Sequence, residues 1–163
     1  MQTPLKPVPT APSRELLMST RFLLKRLGLR IKDRSLEAFE GSGLHPQHYA
    51  VLSLLDEQAR EAQASIADAL GYDRSQLVGL LDELEQKGLV ERRRDPDDRR
   101  RHVVSLTPAG KKTYARLREV AKQLDEEFLA PLDAAERKTL HALLLELAAY
   151  HDPRCGGAPS ETD

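Results

Sequence analysis

Six arginines lie close together between Arg92 and Arg101, in the stretch RRRDPDDRRR. Three aspartates and one proline separate the two groups of three, so the order is nearly palindromic. A guanidinium group pairs with phosphate or carboxylate oxygens, and at a hairpin tip it can enter the minor groove of duplex DNA. The stretch therefore has three interpretations: a disordered basic run, a loop neutralised by its own acids, or a folded finger that contacts a polyanion.

A second polar group stands earlier in the chain, at Arg74, Ser75 and Gln76. Asp73 before it is a good helix N-cap, and Gln76 three residues later predicts a capping box. Arginine suits guanine O6 and N7 or phosphate, and glutamine suits adenine N6 and N7, so this helix start is a candidate for DNA contact. Gly79, one turn on, would let the backbone approach DNA closely, although mere tolerance of a small residue explains it equally well.

His45 and His48 stand three residues apart at the predicted start of another helix, and Tyr49 follows. This spacing can chelate a metal ion, but no cysteine or acidic cluster nearby completes a site, so we predict no metal. These residues are candidates for a ligand pocket, in which His48 and Tyr49 hydrogen-bond a phenol or a carboxylate. Packing in the core or at a subunit surface is the equal alternative. We find no arrangement typical of catalysis and predict neither an enzyme nor a cofactor.

The elements that must hold these residues are mostly helical. Apolar residues recur at three-, four- and seven-residue spacings along most of the chain. Pro46 suits the first turn of a helix, and Gly71 and Gly88 suit helix ends. Thr107 followed by Pro108 suits a helix start. The last two predicted helices begin at Thr107 and at the capping box of Asp133 with Glu136.

The helical period is lost over the two runs LVERRR and RRHVVSL, which lie on either side of DPDD. Both runs contain β-compatible residues at their outer ends. Proline and aspartate supply turn chemistry, so this region predicts a hairpin of two antiparallel strands. A short helix, a tight turn, a capped helix and a hairpin in that order describe a winged helix-turn-helix. The predicted fold class is mainly α with a small β-hairpin wing, a winged helix-turn-helix with N- and C-terminal dimerisation helices.

The two outer helical regions are amphipathic and are not needed to complete a small winged-helix core. Their apolar stripes need a partner, and a second copy of the chain is the simplest one. The predicted parts are a flexible proline-rich arm, an N-terminal dimerisation helix, the winged helix-turn-helix region, the C-terminal dimerisation helices and a flexible tail. They span, in that order, residues 1–13, 14–40, 41–110, 111–151 and 152–163.

The composition sets limits on the class of protein. With a formal net charge of −1, any affinity for a polyanion must come from local clusters. The single cysteine, Cys155, excludes an internal disulfide and a multi-cysteine zinc site. No apolar run approaches the roughly 20 residues of a membrane span, and the N-terminus lacks the apolar region of a signal peptide. We therefore expect a cytoplasmic protein with no membrane partner.

From about Arg14 to Tyr150 the sequence resembles the MarR family of transcriptional regulators. The most specific part is LLDELEQKGLVERRRDPDDRRRHVVSLTPAG, which joins a D-x-L-E-x-x-G-L-V helix end, a P-x-D-R-R wing and an L-T-x-x-G helix start. The resemblance implies a homodimer, usually a repressor, on a palindromic operator in double-stranded DNA. It also implies that a small ligand, often an anionic aromatic compound, binds between the first, second and fifth helices and releases the DNA.

By this resemblance Arg99 is the minor-groove residue at the wing tip, and Asp98 and Arg100 form a buttress that holds the tip in shape. Side chains alternate between the two faces of a strand, so not all the wing arginines can reach DNA. The other predicted DNA-binding residues are Arg74, Ser75, Gln76, Gly79, Arg94, Arg101 and Arg100 itself. The expected acidic partners of the remaining arginines are Glu91, Asp95 and Asp97.

The sequence departs from the family at four positions. Val78 and Gly79 stand where the recognition helix often has Thr-Arg, and His45 and His48 stand where threonine and glutamine are common. Two rival functions fit the residues alone. One is a winged-helix adaptor that places its wing on an acidic protein surface, and the other is a small enzyme with a metal at the two histidines. The group Arg74-Ser75-Gln76 favours DNA over the adaptor.

Overall fold

The computed structural model of the protein describes residues 11–157. Its elements, in chain order, are α1 (Arg14–Leu17), α2 (Thr20–Glu40), α3 (Pro46–Gln58), β1 (Arg60–Ala62), α4 (Gln63–Leu70), α5 (Arg74–Gln86), β2 (Val90–Arg94), β3 (His102–Leu106), α6 (Pro108–Phe128), α7 (Ala134–His151) and a 3-10 helix (Pro153–Gly157). None of the helices in this range is both long and apolar enough to cross a membrane. Residues 1–10 of the predicted arm and 158–163 of the predicted tail lie outside the described residues.

The described chain divides into two compact units, one that ends at Arg34 and one that begins at Ser35. In the first unit, the Ser13 hydroxyl oxygen accepts a hydrogen bond from the Leu16 N–H at 3.3 Å and caps α1. None of the described residues of this unit is buried. Its leucines keep 39–54% of their surface exposed, and they are Leu16, Leu17, Leu23, Leu24, Leu27 and Leu29. Large exposed apolar side chains in this number are typical of an interaction face.

The core of the second unit lies between α3, α4, α5, α6 and the sheet. Each buried leucine in it contributes roughly 1.5–3 kcal/mol relative to an exposed one. The fully buried aliphatic side chains are Val51, Leu52, Leu55, Ile66, Leu77, Leu81, Leu84, Val90, Val104 and Leu117. Helix α5, the recognition helix of the winged helix-turn-helix, buries all four of its leucines, as the three- and four-residue apolar spacing predicts.

The predicted hairpin is confirmed, and the sheet has a third strand that the sequence did not predict. Strands β2 and β3 pair antiparallel from Val90 opposite Leu106 to Arg94 opposite His102. Strand β1 pairs with the other edge of β3, so the strand order is β1-β3-β2. The sequence of β1, Arg-Glu-Ala, has no alternating apolar pattern. Its pairing is dictated by the free edge of β3 and by the turn at Ala59, whose φ is +60°.

Helix ends follow the predicted capping chemistry. Gly88, with φ of +68°, ends α5 in a Schellman motif: its N–H bonds Glu85 O at 2.9 Å, and Leu89 N–H bonds Leu84 O at 2.9 Å. Asp133 and Glu136 form the predicted capping box of α7. These signals fixed the boundaries correctly because each of them satisfies a backbone group that the helix leaves unpaired.

The start of α6 packs against the start of β2 at backbone distance. The Thr107 hydroxyl accepts the Gly110 N–H at 3.0 Å and donates to Gly88 O at 2.6 Å, while Thr107 N–H donates to Leu89 O at 3.1 Å. A Cβ added at Gly110 would lie 1.9 Å from Leu89 O. The helix end, the wing and α6 are thus joined at one point, and we call this the α6 junction (residues 88, 89, 107 and 110).

The end of the described chain is more regular than predicted. The sequence indicates a flexible tail from residue 152, but Pro153–Gly157 form a 3-10 helix. The Asp152 side chain accepts the Arg154 N–H at 3.1 Å, and Cys155 N–H bonds Asp152 O at 2.9 Å. Local capping by an aspartate therefore orders a segment that lacks any periodic apolar pattern.

The α6 junction gives a prediction for stability. We expect Gly110→Ala to lower the free energy of unfolding by at least about 2 kcal/mol, because the new methyl collides with backbone rather than with a movable side chain. Gly79→Ala is the matched control, since no atom lies within 4 Å of an added Cβ there. It should raise the free energy of unfolding by about 0.5–1 kcal/mol, as expected for alanine in a helix interior. Urea unfolding measures both, and a neutral Gly110→Ala would contradict the junction.

Candidate nucleic-acid interface

The start of the recognition helix α5 is held by one carboxylate. Asp73 Oδ1 accepts hydrogen bonds from the Ser75 hydroxyl at 2.6 Å and from the Gln76 N–H at 2.8 Å. These two bonds, the Ser75 hydroxyl first, lower the pKa of Asp73. The N-cap is as predicted, and Gln76 N–H makes the first bond of the predicted capping box. The box itself is wrong, because the Gln76 side chain does not accept the Asp73 N–H in return. The side chains of Arg74 and Gln76 therefore stay available at the helix start.

The second turn of α5 presents little bulk. Val78 keeps 37% of its surface exposed, and Gly79 stands in open space. Both positions lie on the outer side of the helix, opposite the buried leucines. The departure from the usual Thr-Arg pair thus leaves a flat, apolar surface at the place where the family often carries polar side chains.

The wing tip is shaped by its own aspartates. Asp95 N–H bonds Arg101 O at 3.0 Å, and Arg101 N–H bonds Asp98 O at 2.9 Å, which closes the hairpin. The Asp98 carboxylate accepts the Arg100 N–H at 3.0 Å and lies 3.4 Å from the Arg100 Nε. The Asp98 carboxylate thus contacts both the backbone and the side chain of Arg100. Asp97 N–H adds a bond to the Asp95 carboxylate at 2.9 Å.

The arginines of the wing divide into paired and free groups. Arg93 Nη2 pairs with Glu91 Oε2 at 2.9 Å, one of the acids that the sequence singled out. The guanidinium groups of three others make no hydrogen bond or ion pair with any described residue: Arg94, Arg99 and Arg101. All three are exposed. The free cations therefore lie at the tip and at the adjoining strand ends.

The sequence did not predict the strongest pairing of the wing. Arg92 Nη2 lies 2.6 Å from Asp82 Oδ1 and 2.5 Å from Glu85 Oε2, and Arg92 Nε donates to Glu85 Oε2 at 3.0 Å. This contact raises the pKa of Arg92, with Glu85 as the main cause, and lowers the pKa of Glu85. The signal that could have revealed it is the three-residue spacing of the two acids, which places both on one face of α5.

A cleft of about 260 Å³ lies between the recognition helix and the wing. It brings together three arginines that the sequence placed in the DNA-binding set, namely Arg74, Arg100 and Arg101. His102 and the first residues of α4 complete the rim. Since the N-terminus of a helix carries a partial positive charge, the cleft combines three guanidinium groups with a helix dipole and favours an anion.

The three residues predicted for a ligand pocket lie close together but differ in exposure, and the rings of His45 and His48 stack with centroids 5.8 Å apart. His45 is exposed and lines a groove of about 490 Å³ with Leu36 and Glu40. His48 is 1% exposed and belongs to the core. Tyr49 stacks on Tyr114, with ring centroids 5.7 Å apart. The core alternative, left open for His48 from the sequence, is the one that the burial favours.

His48 connects α3 with the recognition helix. Its Nδ1 accepts the His45 N–H at 2.9 Å, so the ring proton belongs on Nε2. Nε2 lies 3.1 Å from Glu83 Oε2, within ion-pair distance, yet the N–H is not aligned for a hydrogen bond. Burial lowers the pKa of His48, with smaller contributions in the same direction from His45 and Lys87, while Glu83 opposes them. The histidine is therefore neutral in the folded protein near pH 7.

A second cavity lies beside the turn between α2 and α3. Its volume is about 430 Å³, and Ala38, Leu117 and Val120 provide an apolar wall. Arg116 and Ser42 supply polar groups at the same cavity. Sequence reasoning missed Arg116 because it stands alone on the polar side of α6. Within residues 11–157 there is no cluster of three or more His, Cys, Asp or Glu side chains suited to a metal ion.

Helix α4, the turn at residues 71–73, helix α5 and the β2–β3 hairpin define a winged helix-turn-helix protein. The sequence profile of the MarR family matches residues 42–101. A protein of Thauera aromatica described as a regulator of the hcr operon is 37% identical over 105 residues, which cover 64% of this chain and 63% of the relative. The chain thus spans just under two thirds of that relative's length.

Two further similarities extend over more of the matched protein. Transcriptional regulator HosA of Escherichia coli O111:H- is 31% identical over 99 residues, 61% of this chain and 73% of HosA. The transcriptional repressor CouR, solved bound to a 23-mer DNA duplex, is 33% identical with a TM-score of 0.78, over 86% of this chain and 99% of CouR. The chain belongs to the MarR family of transcriptional regulators, as the sequence motifs indicated.

The Arg92 contact predicts a difference between neighbouring arginines. Arg92→Ala should lower the free energy of unfolding by about 1–2 kcal/mol, because it leaves two carboxylates of α5 without their partner. Arg93→Ala, the control, removes an exposed pair and should change it by less than about 0.5 kcal/mol. Chemical denaturation of both variants makes the comparison. Equal effects would show that the pairing with α5 adds nothing to stability.

The buried histidine predicts a pH dependence. Its folded pKa is lowered, so the unfolded chain binds the extra proton first and stability falls as pH drops below the usual pKa of about 6.5. The slope contributed is at most about 1.4 kcal/mol per pH unit. His48→Gln, which keeps an acceptor for the His45 N–H, should remove this contribution. Denaturant unfolding between about pH 5 and pH 8 measures the dependence of the free energy of unfolding on pH. If this dependence is unchanged in His48→Gln, the group that titrates is not His48.

Proposed function

We propose that the protein is a homodimeric cytoplasmic repressor that binds an inverted-repeat operator in double-stranded DNA and leaves it when a small phenolic or anionic aromatic ligand binds. The observation that carries the DNA-binding part is the cleft that gathers Arg74, Arg100 and Arg101 at the start of the recognition helix. Duplex DNA presents one negative charge per roughly 1.7 Å of axis, so a local cluster gives affinity even to a protein of net charge −1.

The contacts with DNA divide between helix and wing. The first turn of α5 enters the major groove, which is about 12 Å wide, and offers Arg74 and Gln76 to base edges. The Ser75 hydroxyl donates its hydrogen bond to Asp73, so towards DNA its oxygen can act only as an acceptor. The flat surface at Gly79 allows close approach of the helix to the groove.

The wing supplies contacts that do not depend on base sequence. Arg99 is exposed at the tip and enters the minor groove, which is about 6 Å wide. Asp98 and Arg100 hold the tip in shape, and Arg94 and Arg101 stand free to meet phosphates. The adaptor function is less well supported, because free guanidinium groups surround the start of a helix whose polar residues match base edges.

The dimer rests on exposed apolar helices. Helix α7 buries none of its side chains, and four of its leucines are exposed by 38–55%: Leu143, Leu144, Leu145 and Leu147. The first unit presents a second set of leucines on α1 and α2. Such surfaces are stable in water when a second copy covers them, and a twofold dimer matches an inverted repeat.

The ligand site is proposed near the turn between α2 and α3. The cavity with Arg116 offers a cation to a carboxylate and an apolar wall to a ring. The groove at His45 lies on the same stretch of chain and is similar in volume. Tyr49 lies between Phe39 and Tyr114, with ring centroids 5.6 and 5.7 Å away, and links α2 to α6. A ligand near this turn therefore acts on the packing of α2 and α6.

Two substitutions test the proposed reading of DNA. Arg99→Ala should weaken binding to all duplexes and reduce the slope of log K against log salt by about 0.9 per subunit, the contribution of one phosphate-like contact. Gln76→Ala should instead change the preferred sequence, with a discrimination loss of about 1–3 kcal/mol at one base pair. Arg93→Ala is the control, because Glu91 already neutralises that side chain.

The measurement is fluorescence anisotropy on fragments first selected by the wild-type protein from genomic DNA. If Arg99→Ala leaves the salt slope unchanged, the wing is not part of the interface with DNA. If the wild-type protein retains no fragment even at low salt, the adaptor function becomes the better account.

The dimer has its own test. Leu27 is 53% exposed, so Leu27→Glu should leave the fold of one chain intact but place a charge within the proposed interface. We expect a halved mass in analytical ultracentrifugation and a loss of binding to the two-half-site operator. Ala115→Glu, at an exposed position of α6, is the control and should remain dimeric. A dimeric Leu27→Glu protein would exclude this face from the interface.

A further inference from the structure

The segment after α7 ends in a contact with the helix-turn-helix. Arg154 is bound by Asp152 through two bonds of 2.7 Å, from Nε to Oδ1 and from Nη2 to Oδ2. This paired geometry fixes the plane of the guanidinium group. The remaining Nη1 donates to the carbonyl oxygen of Asp68 at 3.2 Å, 86 residues away in the sequence. Asp152 thus aims Arg154 at the end of α4.

The receiving site is the turn that joins α4 to α5. Asp68 lies in the last turn of α4, where carbonyl groups lack a partner within the helix. A cation is favoured there by the helix dipole. Gly71 follows with φ of +67°, and a Cβ added to it would lie 2.7 Å from Arg154 Nη1. The guanidinium group therefore rests directly on the turn, and we call this contact the C-terminal clasp (Asp68, Gly71, Asp152 and Arg154).

The C-terminal clasp connects the end of α7 with the turn before α5. DNA recognition requires these two parts to keep a fixed relative position. The turn at residues 71–73 sets the direction in which α5 leaves α4. Helix α7, whose leucines are exposed, ends at His151 and leads directly into the clasp. A dimer places its two recognition helices about one helical turn of DNA apart, roughly 34 Å. Movement of α5 relative to α7 therefore makes the distance between the two recognition helices less well defined.

We propose that Arg154 is a positioning residue for DNA binding: through the C-terminal clasp it ties the recognition helix to α7 and so fixes the half-site spacing that the dimer accepts. In this proposal Arg154 acts on DNA binding through the turn before α5 and not through a contact of its own with DNA. The inference rests on the DNA binding and the dimer of the proposed function.

The test compares full-length variants on operators of different spacing. Arg154→Ala removes the clasp, and Asp152→Asn weakens it while keeping the Arg154 charge. Lys138→Ala is the control, because it removes an exposed cation of α7 outside the clasp. Affinity is measured against salt concentration on the selected operator and on versions with one base pair inserted or deleted between the half-sites.

We expect both clasp variants to bind the selected operator about three- to tenfold more weakly, the loss of one exposed charged contact in each of two subunits. The salt slope should equal that of the wild type, and the difference in affinity between spacings should shrink. Amide hydrogen exchange in the free protein should become faster at residues 69–73 in both variants. A purely structural role far from the helix-turn-helix would leave the spacing preference intact.

Three results would overturn the proposal. Unchanged affinity and spacing preference in Arg154→Ala would show that the clasp positions nothing. A shallower salt slope in Arg154→Ala, with Asp152→Asn like the wild type, would mean that Arg154 binds phosphate itself. Unaltered exchange at residues 69–73 would show that the contact does not restrain the turn. Failure of the proposed function looks different, since the wild-type protein would then bind no duplex at all.

Discussion

The placement of the wing depends on the close approach of two backbones at Gly110 and Leu89. Only glycine leaves room there, because a Cβ would lie 1.9 Å from the Leu89 carbonyl oxygen. Thr107 completes the α6 junction by bonding Gly88 O and the Gly110 N–H. The end of the recognition helix, both wing strands and the long helix α6 thus share one fixed point. The G-L-V and L-T-x-x-G motifs are two halves of this single contact.

The two halves of the recognition helix α5 differ in how their polar and charged side chains are bound. Two acids of its second half are paired within the protein, because Arg92 binds both Asp82 and Glu85. In the first turn, the side chains of Arg74 and Gln76 stay free, beside the arginines of the wing. Neutralising the acids by internal contacts removes a repulsion that would otherwise oppose an approaching phosphate backbone. A protein with almost no net charge can in this way present a local cationic surface.

The sequence predicted those features whose physics is local. Caps, turn residues and apolar periods located α5, the hairpin and α6, because each signal satisfies backbone groups within a few residues. Strand β1 was not predicted from the sequence, because its three residues pair only with the distant edge of β3. The Arg92 bridge, the burial of His48 and the contact of Arg154 with Asp68 also join residues that the folded chain brings together. Gln76 shows the opposite error, since a local pattern predicted a bond from the Asp73 N–H to the Gln76 side chain that the folded chain does not make.

The central claim is that one recognition helix and one wing from each of two subunits bind the same face of a DNA duplex. Footprinting of the wild-type protein on a selected fragment, with a major-groove methylation probe and hydroxyl radicals, tests it most directly. We expect two protected major-groove segments with centres about 10 base pairs apart, each flanked by protection at a minor groove where the wing tip enters. A single protected segment, or two without flanking minor-groove protection, would contradict it.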